Sequence, residues 1–254
     1  MDRKIEVDLW KTGMHGIEVG VKQDEQHRAK SRQFSKDMDI IGEYKDGDRK
    51  GYVAYRTTPW DEEKDDLKRK IVIKSFTESM SWKGTLEEMI GRGLAQTFAA
   101  GKSLPTFIMN LSKTNRMITL EKVQRAKSMG KEIYSFMIVD DDDATVHPFI
   151  IEADRFTLGS DWNVRDMRGD KIAKIDGSKF NVGGKYKIEI DTKKDTYRNE
   201  LAEVLVLFST LNKFLGDVAD KIDNAHDRLR KGKEQIIIDR DEEALYQNPR
   251  LVRK

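Results

Sequence analysis

The sequence predicts a β-rich α+β fold in which short antiparallel strands surround one buried helix near the C-terminal end of the chain. Short runs of alternating apolar and polar residues recur, as expected for strands with one buried face, and turns rich in Gly and Asp separate them. The residues from Val204 to Phe208 are all apolar and lie in a helical stretch, so apolar side chains point in every direction around the axis. Such a helix must be surrounded, and this apolar run is far shorter than the stretch of about 20 residues that spans a bilayer. The sequence therefore predicts that protein, and above all the preceding strands, encloses the helix.

The N-terminal part is predicted to form two hairpins and a further strand. Residues Lys4 to Trp10 alternate, a Gly-containing break follows, and alternation resumes from Ile17 to Val21. The second hairpin is predicted over Ile40 to Arg56, where Asp46-Gly47 supplies the positive φ angle of a tight turn. A strand is predicted over Ile71 to Phe76.

The middle of the chain is predicted to contain two helices. Thr85 and Glu88 have the spacing of a capping box, which predicts a helix from Thr85 to about Ala100 that ends at Gly101. A second helix is predicted over Thr119 to Met129. Strands are predicted over Thr106–Leu111, Ile133–Val139 and Val146–Phe156, the last at an edge or with a bulge because it contains Pro148.

The C-terminal part is predicted as a strand meander followed by one continuous helix from about Asn199 to about Ile222. The predicted turns are Asp166 to Gly169 and the pair Gly183-Gly184. The residues assigned structural roles are Trp162, Gly169, Gly183, Gly184, Leu207 and Phe208.

The segment from about residue 149 to residue 222 resembles the second half of the LURP-one-related family, within the wider tubby C-terminal-like group. The pattern consists of an aromatic strand, an Asp-x-x-Gly turn, a return strand, a further hairpin and an apolar helix. It is carried, in this order, by Phe156, Gly159, Trp162, Val164, Asp166, Gly169, Ile172, Ala173, Lys174, Ile175, Phe180, Gly183, Tyr186 and Ile188.

The resemblance implies a closed antiparallel barrel of tubby-like type wrapped around the C-terminal helix. Residues 1–148 would then be a divergent first half with inserted helices, and residues 149–232 the second half with the central helix. Together residues 1–232 would form a single domain, followed by a polar tail over residues 233–254.

Composition excludes several classes of site. The chain has 47 Lys and Arg against 45 Asp and Glu, without the basic excess typical of nucleic-acid-binding proteins. It has no cysteine, which excludes disulfides, thiolate metal ligands and cysteine nucleophiles. The first ten residues lack the apolar core of a signal peptide, and no transmembrane segment is predicted, so a cytoplasmic protein is expected.

No catalytic or metal-binding constellation is predicted, and no cofactor. The run from Asp140 to Asp143 is interpreted as a solvated turn rather than a calcium or magnesium site, and the four histidines fit no zinc spacing. Two basic clusters are weak candidates for contact with anionic headgroups, although acidic residues flank both. Their members are Lys68, Arg69, Lys70, Arg228, Arg230 and Lys231.

The resulting hypothesis is a non-enzymatic binding or scaffolding module. Members of the tubby group bind phosphoinositides, so the resemblance implies an anionic phospholipid surface as one ligand, and a protein partner is the other. Two alternatives stay open. One is an enzyme or small-ligand binder that uses the barrel mouth, and the other is a nucleic-acid or assembly factor. The oligomeric state is left open.

Overall fold

A computed structural model describes residues 2–10, 32–124, 131–154, 161–178, 184–191, 198–232 and 234–248. The described residues form a closed antiparallel barrel in which each strand pairs with its neighbours in sequence and β1 pairs with β12. This confirms the predicted β-rich antiparallel fold. The strands are β1 (Arg3–Leu9), β2 (Met38–Asp46), β3 (Arg49–Arg56), β4 (Val72–Thr77), β5 (Trp82–Glu88), β6 (Thr106–Leu111), β7 (Ile118–Lys122), β8 (Ile133–Val139), β9 (Val146–Ala153), β10 (Trp162–Asp166), β11 (Lys171–Gly177) and β12 (Lys185–Ile190).

The helices are α1 (Ile90–Ala100), α2 (Arg198–Leu211), α3 (Leu215–Arg230) and α4 (Arg240–Leu245), and a short π-helical turn covers Thr58–Glu62. Because the strands run alternately up and down, their connections alternate between two ends of the barrel. We call the upper end the one with the turns after β2, β4, β6, β8 and β10. The lower end carries the longer connections, which include α1.

Helix α2 is buried along most of its length. Every residue from Leu201 to Leu211 is buried, and the helix contacts β1, β4, β5, β6 and β12. The ring of Phe208 packs edge to face on Tyr134 of β8 and Trp162 of β10, with centroid distances of 5.4 and 5.1 Å. Strands from all around the barrel therefore supply partners for this one helix.

The prediction of one continuous helix from Asn199 to Ile222 is wrong, because α2 ends at Leu211 and α3 begins at Leu215. At the break, the Nδ2 of Asn212 donates to the Tyr186 hydroxyl at 3.2 Å. The Nζ of Lys213 donates to the carbonyl of Trp10 at 2.9 Å. Both partners lie at the lower end, where the chain leaves the barrel and turns so that α3 packs against α1.

The predicted helix start at Thr85 is also wrong, since Thr85 and Glu88 belong to β5 and the helix begins at Ile90. The two side chains of the apparent capping box have other partners. The Thr85 hydroxyl accepts a hydrogen bond from Trp82 Nε1 at 2.9 Å, and Glu88 is buried in an ion pair with Lys221. The predicted end at Gly101 is confirmed, with a φ of +69°.

The helix predicted from Thr119 to Met129 is contradicted over its first part, because Ile118–Lys122 forms β7. Ile118 and Leu120 alternate into the core, and the strand pairs with β6 and β8. Residues 125–130 lie outside the described part of the chain.

Strand β9 is not an edge strand, because it lies between β8 and β10. Pro148 is paired with Met137 of β8, whereas pairing with β10 starts at Phe149. The missing N–H of Pro148 therefore lies where only one neighbour is present, which explains how a closed barrel accommodates this proline.

Two predicted turns are confirmed. Gly47 between β2 and β3 has a φ of +61°, and Gly169 between β10 and β11 has a φ of +86°. Gly184 also has a positive φ of +112°, while Gly183 lies outside the described residues, as does the predicted second strand from Ile17 to Val21.

Candidate functional site

A cavity of about 260 Å³ opens at the upper end, between the start of α2 and the strands β1 to β6. Its lining combines cations, carboxylates and a few apolar side chains that come from distant parts of the sequence. The lining residues are Arg3, Tyr44, Asp46, Arg49, Lys50, Thr77, Trp82, Lys83, Leu111, Ser112, Lys113, Asn199, Glu200 and Glu203.

Two of the cations are bound to carboxylates. Arg3 donates to Asp46 with Nε at 2.9 Å from Oδ1 and Nη2 at 2.5 Å from Oδ2, a bidentate pair. The hydrogen bond from Arg3 is the main reason that the pKa of Asp46 is lowered, against the opposing effect of burial. Lys83 Nζ lies 2.7 Å from Glu203 Oε2, and Ser75 donates to the same buried carboxylate. These two pairs neutralise the charges of Asp46 and Glu203.

Three further cations surround the cavity without such partners. Arg49, Lys50 and Lys113 are exposed, and no ion pair joins them to a carboxylate within the residues that the structure describes. Arg49 lies opposite Asp46 in the β2–β3 register and adds to the lowering of the Asp46 pKa without forming an ion pair with it. Arg49 and Lys50 begin β3, and Lys113 follows β6, so all three lie at upper turns. The first turn of α2 also faces the cavity through Asn199 and Glu200, and the N-terminal end of a helix carries partial positive charge.

The apolar wall of the cavity is fixed in place. The hydroxyl of Tyr44 donates to the carbonyl of Phe76 at 3.2 Å. Gly51 lies against the Tyr44 ring, where a Cβ would come within 2.3 Å of Cζ. Trp82 is held by its bond to Thr85, and the ammonium of Lys83 lies 5.5 Å from the centroid of the Tyr44 ring. A positive rim and a rigid aromatic wall are the features of a site for a small ligand with an anionic group.

The basic clusters predicted from the sequence lie at the lower end. Lys68 is 3.8 Å from Asp65, and the guanidinium of Arg69 lies 4.1 Å above the ring of Trp60. Arg228 bridges Asp65 at 3.0 Å and Glu234 at 2.6 Å, so Asp65 brings the two clusters together.

The remaining members of these clusters differ strongly in exposure. Lys70 is buried and pairs with Glu87 and Asp239, and these carboxylates outweigh the effect of burial and raise its pKa. Arg230 and Lys231 are exposed where α3 ends. The lower cations are thus mostly engaged in contacts within the protein.

One group of carboxylates has a spacing compatible with a metal ion. Oxygens of Glu87, Asp239 and Asp241 lie within 4.8 Å of one another. The ammonium of Lys70 already contacts two of these three residues and supplies the positive charge that balances them. The group is therefore better explained as an ion-pair network than as a metal centre.

The sequence analysis missed the upper cavity because its cations are not clustered in the chain. Successive members of the set Arg3, Arg49, Lys83 and Lys113 are 46, 34 and 30 positions apart, and only the barrel register places them at one end. In an up-and-down barrel every second connection lies at the same end. The sequence signal that could have found these cations is that each lies next to one of those connections.

Comparison of the chain with protein-family models, with curated proteins and with solved structures gave no match. Among the described residues, no helix is both long enough and apolar enough to cross a membrane. The geometry of the barrel ends is therefore the basis for inference about function.

Proposed function

We propose that this protein is a non-enzymatic binding module that recognises an anionic group at the upper mouth of its barrel. The observation that carries the proposal is the arrangement of Arg49, Lys50 and Lys113 around the cavity without ion pairs to carboxylates in the described chain. Exposed cations outside ion pairs are available to bind an anion. The described lining residues include no histidine, and of their three acids Asp46 and Glu203 are ion-paired, which leaves Glu200 alone outside an ion pair. A single such carboxylate without a histidine favours binding over acid–base catalysis.

The volume of the cavity limits what it can hold. At about 30 Å³ per water, 260 Å³ corresponds to about nine waters. That space suits a headgroup or a small metabolite and is too small for a complete lipid. We propose an anionic phospholipid headgroup as the ligand, inserted from a membrane surface, with a soluble anion of similar chemistry as the alternative source.

The charge distribution at the upper end favours insertion of one headgroup over broad adsorption. The acidic turn from Asp140 to Asp143 follows β8 at this same end, beside the turn that carries Lys113, where Asp141 accepts from the backbone N–H of Asn115 at 3.0 Å. An extended anionic surface would be repelled by this turn, whereas a single headgroup beside Arg49 and Lys50, at the turn between β2 and β3, would lie several strands away from it.

The tubby-like type and the position of α2 at the barrel centre belong to this proposal. Burial of every residue from Leu201 to Leu211 and ring contacts of Phe208 with β8 and β10 support a central helix. A barrel filled by a helix has no room for a ligand in its middle. We therefore place the ligand at the upper mouth of the barrel, beside the start of α2.

The test is flotation with neutral vesicles and with vesicles that contain phosphatidylinositol phosphates. Replacing Arg49, Lys50 and Lys113 by Glu removes three attractive charges of about 1 kcal/mol each and adds three repulsive ones, which predicts a loss of at least about 100-fold in affinity. The matched control reverses Lys68, Arg230 and Lys231 at the lower end and is expected to bind within about threefold of wild type.

Equal loss in both variants would contradict a specific upper site, and unchanged binding of the upper variant would overturn the proposal. A soluble inositol phosphate that binds as tightly as the vesicles and displaces the protein from them would show that the soluble anion alone is a sufficient ligand. Thermal melting of both variants serves as the control for folding, because exposed substitutions usually change stability by less than about 0.5 kcal/mol.

A further inference from the structure

The described C-terminal residues 234–248, which we call the C-terminal segment, dock at the lower end mainly through charged groups. Glu234 pairs with Arg228 at 2.6 Å, and Asp239 pairs with Lys70. Glu242 is buried, with only 6% of its surface exposed, although the other described residues of the segment are half-buried or exposed. The position of this carboxylate needs an explanation, because buried charges require partners.

Glu242 caps helix α1 from a distant part of the sequence. Its Oε1 accepts a hydrogen bond from the backbone N–H of Arg92 at 3.2 Å, in the first turn of α1. Met89, the residue before that helix, provides no side-chain cap. Gly91 makes the contact sterically feasible, because a Cβ there would lie 3.0 Å from Glu242 Oε1 and 2.8 Å from Ile238 Cγ2. The free N–H groups and partial positive charge of a helix start favour such a carboxylate.

Asp239 places the second carboxylate on the same turn. It accepts a hydrogen bond from the backbone N–H of Glu242 at 2.9 Å and thereby begins α4, while it also pairs with Lys70. An Asp-x-x-Glu sequence at the start of a helical turn thus presents one carboxylate to Lys70 and the other to the start of α1. The two carboxylates and their two partners form a pattern by which this surface can recognise a peptide.

The segment buries few apolar groups. Ile237 is 73% exposed and Ile236 is 38% exposed, so little apolar surface is buried by docking. Glu87 lies within 4.8 Å of Asp239 and Asp241 and repels them, and the partly exposed pair of Glu234 with Arg228 contributes only about 0–1 kcal/mol. A segment with few buried apolar contacts can detach while the barrel stays folded.

We propose that the surface formed by Lys70, Arg228 and the start of α1 at Gly91-Arg92 is a docking site for an acidic peptide of a protein partner. The peptide carries Asp-x-x-Glu at the start of a helical turn. The C-terminal segment is the internal competitor that occupies this surface when no partner is present. The site lies at the opposite end from the anion-binding mouth and does not depend on it.

The experiment uses the full-length chain and a fluorescently labelled peptide with the sequence of residues 234–248. In the variant Asp239→Asn/Glu242→Gln, the internal segment loses both carboxylates that hold it. This variant is expected to bind the wild-type peptide at least tenfold more tightly than the wild-type chain does, as measured by fluorescence anisotropy at low salt. Adding Lys70→Gln to the variant should abolish the gain, whereas Arg49→Glu/Lys50→Glu/Lys113→Glu should preserve it.

Three outcomes would overturn the proposal. The first is equal affinity of the wild-type chain and the loosened variant for the peptide. The second is equal binding of a control peptide in which both carboxylates are replaced by amides, which would indicate unspecific attraction. The third is a wild-type dimer in light scattering that the loosened variant converts to a monomer, because a second copy would then be the occupant. Near-ultraviolet circular dichroism checks that the variants keep the native fold.

Discussion

The two ends of the barrel use basic residues in opposite ways. At the upper end, Arg49, Lys50 and Lys113 surround a cavity and form no ion pairs with carboxylates among the described residues. At the lower end, Lys70 and Arg228 are engaged in ion pairs, and α1, α3 and the C-terminal segment cover the strand ends. The comparison teaches that nearby acids and a cavity, rather than clustering of Lys and Arg in the sequence, decide which cations are available to a ligand.

The difference follows from the lengths of the connections. Upper turns such as Gly47-Asp48 are short and leave the mouth beside α2 open. Of the lower connections, the one between β5 and β6 contains α1 and the one between β3 and β4 contains the π-helical turn Thr58–Glu62. On this account the lower end contributes to stability, and the upper end contributes to binding.

The largest expected effect on stability is at the lower end. Glu88 and Lys221 form an ion pair in which each side chain is 1% exposed, with Nζ 2.5 Å from Oε1. Burial lowers the pKa of Lys221, against the opposing attraction of Glu88. Removing one partner by Glu88→Ala should cost about 3–5 kcal/mol of unfolding free energy, because the other charge stays buried alone.

The control for this prediction replaces both partners by Leu and Met. Since two apolar side chains leave no buried charge, the double variant should be more stable than Glu88→Ala, although it removes the partners of the Ile71 N–H and the Arg69 carbonyl. Denaturant unfolding measures both. A loss under about 1 kcal/mol for Glu88→Ala would mean that this pair is not a structural element of the lower end.

The next effect concerns α2, which connects the two ends. Leu207 and Phe208 are fully buried, so replacing either by Ala should cost about 2–5 kcal/mol in denaturant unfolding. If both variants lose less than about 0.5 kcal/mol, the helix is not enclosed and the central position proposed for it is wrong.

A smaller effect is expected at Gly184, which leads into β12 at the lower end. Its φ of +112° is unfavourable for any residue with a Cβ, and an added Cβ would lie 3.3 Å from the Tyr186 ring. Gly184→Val should lower stability by about 1–3 kcal/mol. Gly216→Val serves as the steric control, since no atom lies near the added Cβ there. An unchanged melting temperature for Gly184→Val would count against the backbone conformation described.

The smallest effect is a pH dependence at the upper end. The pKa of Asp46 lies below its ordinary value of 3.8 in the folded chain, chiefly because Arg3 donates to it. A carboxyl whose pKa is lower in the folded than in the unfolded chain stabilises the fold at pH values above its unfolded pKa. This stabilisation is lost as the pH falls through the folded pKa. The unfolding free energy of wild type should therefore exceed that of Asp46→Asn by up to about 1 kcal/mol at neutral pH. The two stabilities should converge as the pH falls below the folded pKa of Asp46. A difference that persists at low pH would assign the effect to packing.

The barrel itself was largely predictable from the sequence, and the site was not. Alternation and turn residues identified β2, β3, β6 and β8, and the run from Val204 to Phe208 identified the buried helix, because these signals are local. The apparent capping box at Thr85 misled, since a four-residue motif cannot show that Glu88 pairs with Lys221, more than a hundred residues away. The end of α2 at Leu211 is set by contacts with Tyr186, 26 residues from Asn212, and with Trp10, 203 residues from Lys213.

The cavity could not be predicted because its composition depends on register. Arg3 and Asp46 pair only because β1 and β2 are adjacent, and Lys83 reaches Glu203 only because β5 packs on α2. Ion pairs, some local and some long-range, engage Lys68, Lys70 and Arg228 of the basic clusters that the sequence singled out.

The most direct test of the central claim is an NMR titration of the isotope-labelled chain with a soluble inositol phosphate. The account predicts saturable shifts at the backbone amides of Arg49, Lys50, Lys113 and Asn199, and none at Lys68 to Lys70 or Arg228 to Lys231. Shifts confined to those lower residues, with none around the upper cavity, would contradict it.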